Sequence, residues 1–131
     1  MMKKKPYLQA ALLCEGVTTD AEGRHTIHNE FSQYTMGYSK PFTVLTIWRG
    51  GTGSGEEGFT ERMEIVAQDG RIVAAGSNGP FVLTDDTFRQ VNSILLENID
   101  FTNEGRYELR ISLCTDNDKV VSSASFPVTV V

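Results

Sequence analysis

The sequence predicts an all-β protein, a single antiparallel β-sandwich of seven to eight strands spanning residues 1–131. Three observations carry this. Short runs that are apolar or alternate between apolar and polar recur along the chain. Turn signals built from Gly, Asp and Asn separate them at roughly the 8–12-residue spacing of sandwich strands. Helical spacing occurs in one segment only, and that segment also reads as a strand. A chain of 131 residues, 40% hydrophobic and 22% charged, fits one domain with a core of its own. No repeat or low-complexity linker divides it.

The first strand is LQAALLC (8–14), with Leu8, Ala10, Leu12 and Cys14 on one face. The opening MMKKKPYLQAALLC imitates a secretory signal, with a basic start, an apolar stretch and a cysteine where a lipoprotein would be cleaved. However, the apolar part, Tyr7 to Leu13, is only seven residues and Gln9 interrupts it. Leu13 is also larger than the small residue such cleavage requires. A strand is the better reading, and it predicts a cytoplasmic protein in which Cys14 and Cys114 are reduced, buried thiols.

RHTIHNEFSQYTM (24–36) follows the Asp20–Gly23 turn and reads as the second strand. FTVLTIWR (42–49) is apolar on both faces, as a central strand must be. FTERMEIVAQ (59–68) alternates, with Phe59, Met63, Ile65 and Ala67 on one side and Thr60, Arg62, Glu64 and Gln68 on the other. Asp69-Gly70 is a hairpin signal leading into RIVAA. In DDTFRQVNSILLENIDF, Phe88, Val91 and Leu95 have helical spacing behind a cap at Asp85 or Asp86. The same residues alternate as a strand from about Val91 to Ile99, which the all-β flanks favour. RYELRISL then places Tyr107, Leu109, Ile111 and Leu113 on one face. KVVSSASFPVTVV answers with Val120, Ala124, Phe126, Val128 and Val130.

The stretch WRGGTGSGEEGFTERMEI (48–65) holds five glycines in nine positions, and Gly53, Gly55 and Gly58 spell G-x-G-x-x-G. A dinucleotide site needs a helix after these glycines to receive the pyrophosphate. Here the next segment alternates as a strand, and Glu56 and Glu57 place negative charge where phosphate would sit. No Lys-Ser or Lys-Thr follows, so a Walker loop fails as well. The loop is expected to be a long hairpin connection, and the protein is expected to bind no nucleotide.

Other chemistry is sparse. The net charge is −5 and the 12 basic residues are scattered apart from Lys3, Lys4 and Lys5, which argues against nucleic acid. No apolar run approaches the roughly 20 residues that cross a bilayer, so no membrane partner is expected. His25 and His28 point to opposite faces of a strand. His28 and Glu30 share a face, but two ligands are too few for zinc. Asp116, Asn117 and Asp118, with Asp85 and Asp86, suggest a calcium site, yet an Asp/Asn turn explains the first three. There is no Gly-x-Ser-x-Gly elbow. No catalytic residue, metal site or cofactor is therefore assigned, and a non-enzymatic binding or assembly module is expected. The alternative is a small metal-dependent hydrolase or a calcium-binding sandwich using its acidic loop tips. EFSQYTMGYSKPF (30–42) carries Phe31, Tyr34, Tyr38 and Phe42, a candidate interface for a protein partner or a second copy of the chain.

Taken together, LQAALLCEGV (8–17), RMEIVAQDGRIV (62–73) and NIDFTNEGRYELRISL (98–113), closing on FPVTVV (126–131), resemble a family of small uncharacterised bacterial proteins, a domain of unknown function. The likeness rests on Leu13-Cys14-Glu15, Asp69-Gly70 and Glu104-Gly105-Arg106-Tyr107. It leaves out Ser77–Gln90 and the glycine loop. The resemblance implies an immunoglobulin-like sandwich and brings no catalytic residues. By its own position, Tyr107, two residues past a turn glycine, can return its hydroxyl to nearby backbone as a tyrosine corner does. Leu109 stands where immunoglobulin domains place a cysteine, so no disulfide framework follows.

Overall fold

The computed structural model describes residues 5–35, 41–51, 58–83, 89–99 and 101–131. Among them, period-two alternation becomes ten strands and no helix: β1 (Tyr7–Cys14), β2 (Gly16–Thr19), β3 (His25–His28), β4 (Gln33–Tyr34), β5 (Phe42–Arg49), β6 (Gly58–Val66), β7 (Ile72–Val82), β8 (Arg89–Leu96), β9 (Gly105–Thr115) and β10 (Val120–Val130). They form a three-stranded sheet in the order β1-β5-β8, a five-stranded sheet in the order β4-β10-β9-β6-β7, and a separate β2-β3 ribbon. The two larger sheets enclose the core between them.

This corrects the expected single sandwich of seven to eight antiparallel strands. The segment 24–36 is not one strand. Asn29 adopts a left-handed φ of 51° and ends β3, and Phe31 then makes an isolated bridge to Leu13. Two residues later β4 joins the edge of the five-stranded sheet, parallel to β10, with Tyr34 beside Val130. The expectation of a helix or strand near Val91 resolves to strand over Arg89–Leu96, and residues 84–88 lie outside the described part.

Two faces also differ from simple alternation, both at bulges. The register of β1 slips between Leu8 and Ala10, so Leu8, Ala11 and Leu13 pack on the core where Ala10 and Leu12 were expected. A slip between Val120 and Ser122 likewise turns Val120 out to solvent and brings Val121 to the core. Along the middle of β6 and β9 alternation holds. Phe59, Met63 and Ile65 of β6 and Tyr107, Leu109, Ile111 and Leu113 of β9 are all buried. The Tyr107 hydroxyl donates to the carbonyl of Asn103 at 2.8 Å, forming the expected corner. Gly76 lets β7 approach β8: a Cβ there would lie 2.8 Å from Ile94 Cγ2.

The inward face of β6 contains one residue that no apolar pattern explains. Glu61 lies between Phe59 and Met63, fully buried. Its Oε1 accepts from Thr46 Oγ1 at 2.9 Å and from Asn92 Nδ2 at 2.8 Å, and its Oε2 accepts from the Trp48 indole at 2.8 Å. All three donors come from β5 and β8, in the opposite sheet. Asn92 in turn accepts from Gln90 at 2.9 Å. Every buried side-chain polar atom among the described residues has a partner, as a native interior requires.

Replacing Glu61 orphans these donors. Glu61→Leu is expected to lower the unfolding free energy by about 3 kcal/mol or more, each stranded donor costing at least about 1 kcal/mol. Glu61→Gln turns an amide donor toward one of three existing donors and should cost less, about 1–3 kcal/mol. Denaturant titration followed by the fluorescence of the chain's one tryptophan, Trp48, measures both; unchanged midpoints would show that the network does not stabilise the fold. Tyr107→Phe, which removes a bond at the rim of the core, should cost about 1 kcal/mol in the same assay.

Candidate functional site

The chain path that breaks segment 24–36 also builds a cleft. The β2-β3 ribbon starts just after Glu15 and ends just before Asn29 and Glu30, so its open end brings these three residues together. The backbone N–H of Glu15 donates to the carbonyl of His28 at 2.9 Å, and Asn29 Nδ2 donates to Glu15 Oε2 at 2.9 Å. From there Phe31 is held by its N–H to the carbonyl of Leu13 at 2.9 Å, and β4 is anchored where Val131 N–H donates to the carbonyl of Tyr34 at 2.9 Å. Between ribbon, β4 and the start of β5 lies a cavity of about 390 Å³. Phe31, Tyr34, Pro41 and Phe42 form its apolar side, and Glu15, Asn29, Glu30, Gln33 and Thr35 its polar side.

The aromatic side is the end of a chain of rings. Phe31 meets Phe42 edge to face at 5.3 Å, Tyr34 lies 5.6 Å from Phe42, and the series continues through Phe101 at 4.9 Å to Tyr107 at 4.8 Å. Such tilted contacts suit the ring quadrupole. Of the candidate interface residues, Phe42 and Tyr34 are 1% and 6% exposed, because β5 turns Phe42 inward and β4 seats Tyr34 over the core. Phe31 is half-buried against the same cluster, and Tyr38 lies outside the described residues. Three of the four aromatics do converge, as the floor of a cleft and not as an exposed stripe.

The other sequence candidates separate. His25 Nδ1 bonds to Thr19 Oγ1 at 2.9 Å and His28 Nε2 to Thr18 Oγ1 at 3.0 Å, and their adjacent partners confirm that the two imidazoles face opposite ways. Asp118 is paired with Arg62 and has a left-handed φ of 59° in the turn closed by Thr115 and Lys119. Asp85 and Asp86 lie outside the described residues. Among the described residues no three His, Cys, Asp or Glu come together as a metal could use them. In the glycine loop, residues 52–57 lie outside the described part, but its flanks are clear. β5 and β6 belong to different sheets, so the loop is a crossover between sheets and not the expected hairpin. The residue after it opens a strand.

Cys14 and Cys114 are free and buried, as expected. Burial raises the Cys14 thiol above its ordinary pKa, and the charge of Glu30 adds to this while a backbone bond from Gly16 opposes it. A raised folded pKa means that the stability Cys14 contributes is present below the ordinary thiol pKa of about 8.5 and is lost as pH rises through the folded value. No helix among the described residues is long and apolar enough to cross a membrane.

No protein-family model matches the sequence, and no curated protein matches it. Solved structures do. A glycosyl hydrolase family 2 member from Bacteroides cellulosilyticus aligns with a TM-score of 0.61 and 13% identity, covering 95% of this chain. This chain spans 15% of that enzyme's length. A Niemann-Pick type C2 protein from the Japanese carpenter ant aligns at 0.57 and 8% identity, over 99% of this chain and 96% of its own. The CARDB domain of a Pyrococcus furiosus protein, in complex with di-metal ions, aligns at 0.50 and 13% identity, over 97% of this chain and 94% of its own. These identities are too low to carry activity. They establish an all-β fold similar to β-sandwich, immunoglobulin-like domains.

Both thiols should resist an aromatic disulfide reagent in the native protein and react, two per chain, once it is unfolded without reductant. Native reaction would contradict their burial, and fewer than two after unfolding would reveal a disulfide. The fall in stability above about pH 8.5 should be shallower in Cys14→Ala.

Proposed function

We propose that the protein is a non-enzymatic binding module with an immunoglobulin-like sandwich, and that it engages a protein partner through the cleft between ribbon, β4 and β5. The observation that carries this reading is the composition of the cleft. Aromatic and apolar surface on one side opposes carboxylates and amides on the other, which is the mixture by which binding sites gain area and orientation together. The lining residues are suited to hold and orient a ligand, and among the described ones no nucleophile stands beside a base. The likeness to a small part of a family 2 glycosyl hydrolase chain supports a modular role, because there a comparable sandwich is one piece of a larger protein. Two free buried thiols suit a cytoplasmic setting. The kinship with small bacterial proteins suggested by Leu13-Cys14-Glu15 and Glu104-Gly105-Arg106-Tyr107 belongs to the same reading.

Selection of a displayed peptide library on the purified protein tests it, with Thr35→Trp as the counter-target. Thr35 is exposed at the cleft, so the indole obstructs the cleft without entering the core. The expected outcome is enriched peptides that bind wild type at least about tenfold more tightly than the variant, a difference of about 1.4 kcal/mol. Peptides indifferent to Thr35→Trp would overturn the assignment of the cleft. A stoichiometric metal in the purified protein would turn the reading toward the metal-dependent alternative.

A further inference from the structure

We infer that the cleft selects a cationic side chain, lysine or arginine, presented by an exposed segment of the partner; this rests on the binding-module reading. Charge is the first ground. Glu15 and Glu30 stand exposed at the rim, and among the described residues no basic side chain lines the cavity. Glu15 accepts one bond, from Asn29. A carboxylate has about four acceptor sites, so most of its capacity faces solvent. Glu30 accepts no side-chain bond from a described residue that would neutralise it. Its field is felt as far as the Cys14 thiol. With both carboxylates on one cavity, a guanidinium or ammonium entering it can meet either or both in charge-assisted hydrogen bonds.

The apolar side is the second ground, independent of the first. An aliphatic stem of three or four methylenes needs apolar surface along its length while its head meets the carboxylates. Phe31, half-buried, and Pro41, exposed, provide that surface, and the ring of Phe31 adds the attraction of an aromatic face for a cation. The size agrees. At about 390 Å³ the cavity lies at the small end of ligand pockets, which run from about 300 to 1,000 Å³. It admits one long side chain with its flanking backbone. A neutral apolar side chain would fill the same floor but leave the acidic rim without a counter-charge, so the rim is what discriminates.

The test uses the full chain, isotopically labelled, titrated with the pentapeptide Gly-Gly-Arg-Gly-Gly, its lysine counterpart, and the norleucine and citrulline controls, which keep the stem and lack the charge. The arginine or lysine peptide should shift the amide resonances of Glu15, Glu30, Phe31 and Thr35, and the affinity should fall as salt rises. The controls should bind at least about tenfold more weakly. Glu15→Gln combined with Glu30→Gln, both at exposed positions, should abolish the preference while leaving the dispersed spectrum intact. Equal binding of the norleucine peptide, or an unchanged preference in the double variant, overturns the cation assignment and leaves library-selected binders sensitive to Thr35→Trp untouched. Free arginine binding as tightly as the pentapeptide overturns the assignment to a protein partner. Selected peptides that ignore Thr35→Trp defeat the cleft reading itself.

Discussion

The two sheets are tied together by one carboxylate. Apolar contacts supply most of the attraction between facing sheets, but they are non-directional and tolerate sliding. Three hydrogen bonds of 2.8–2.9 Å from Glu61 to Thr46, Trp48 and Asn92 do not. They set β6 against the centre of the three-stranded sheet and fix the ring plane of Trp48, the largest fully buried side chain. Fully satisfied, such a polar knot specifies one packing, and half satisfied it would be worse than none. The absence of unsatisfied buried side-chain atoms among the described residues shows which case applies.

That tie has a mark in the sequence. In FTERMEIVAQ the apolar set on one side is Phe59, Met63, Ile65 and Ala67, and the position between the first two is Glu61. A charged residue on the apolar face of an otherwise regular strand marks a buried acceptor, and its donors must then come from the opposing sheet. The alternating middles of β6 and β9 are legible because burial on one face leaves little freedom of register. The faces of β1 and β10 are not, because one extra residue at a bulge exchanges inside for outside and no residue type announces it.

The cleft was half legible. Phe31, Tyr34 and Phe42 were recognised as belonging together, though as exposed surface. What was missed is the pairing around the Asp20–Gly23 turn. GVTT ends directly before it and HTIH begins one residue after it, past Arg24, which describes a hairpin. A hairpin there brings Glu15 and Glu30, at its two open ends, onto one rim. Asp20 secures the turn by accepting from the N–H groups of Glu22 and Arg24 at 2.9 Å each. Its pKa is held below the usual carboxylate range chiefly by the Arg24 backbone and side-chain bonds. The aromatic floor and acidic rim thus come from one stretch of chain folded back on itself.

The outer strand of the five-stranded sheet bears on how this molecule behaves when crowded. β7 runs for 11 residues along a sheet boundary, long enough to recruit a neighbouring chain. Its second half is poorly suited to that. Pro80 has no N–H to offer, and Gly79 takes a φ of 143° that only glycine adopts with ease. The register also slips opposite Phe59 and Glu61, so the strand is not a straight template. At the far boundary β4 is two residues long. The second half of β7 is thus a poor template for edge-to-edge growth, whereas β4 covers only Thr129 and Val130 of β10.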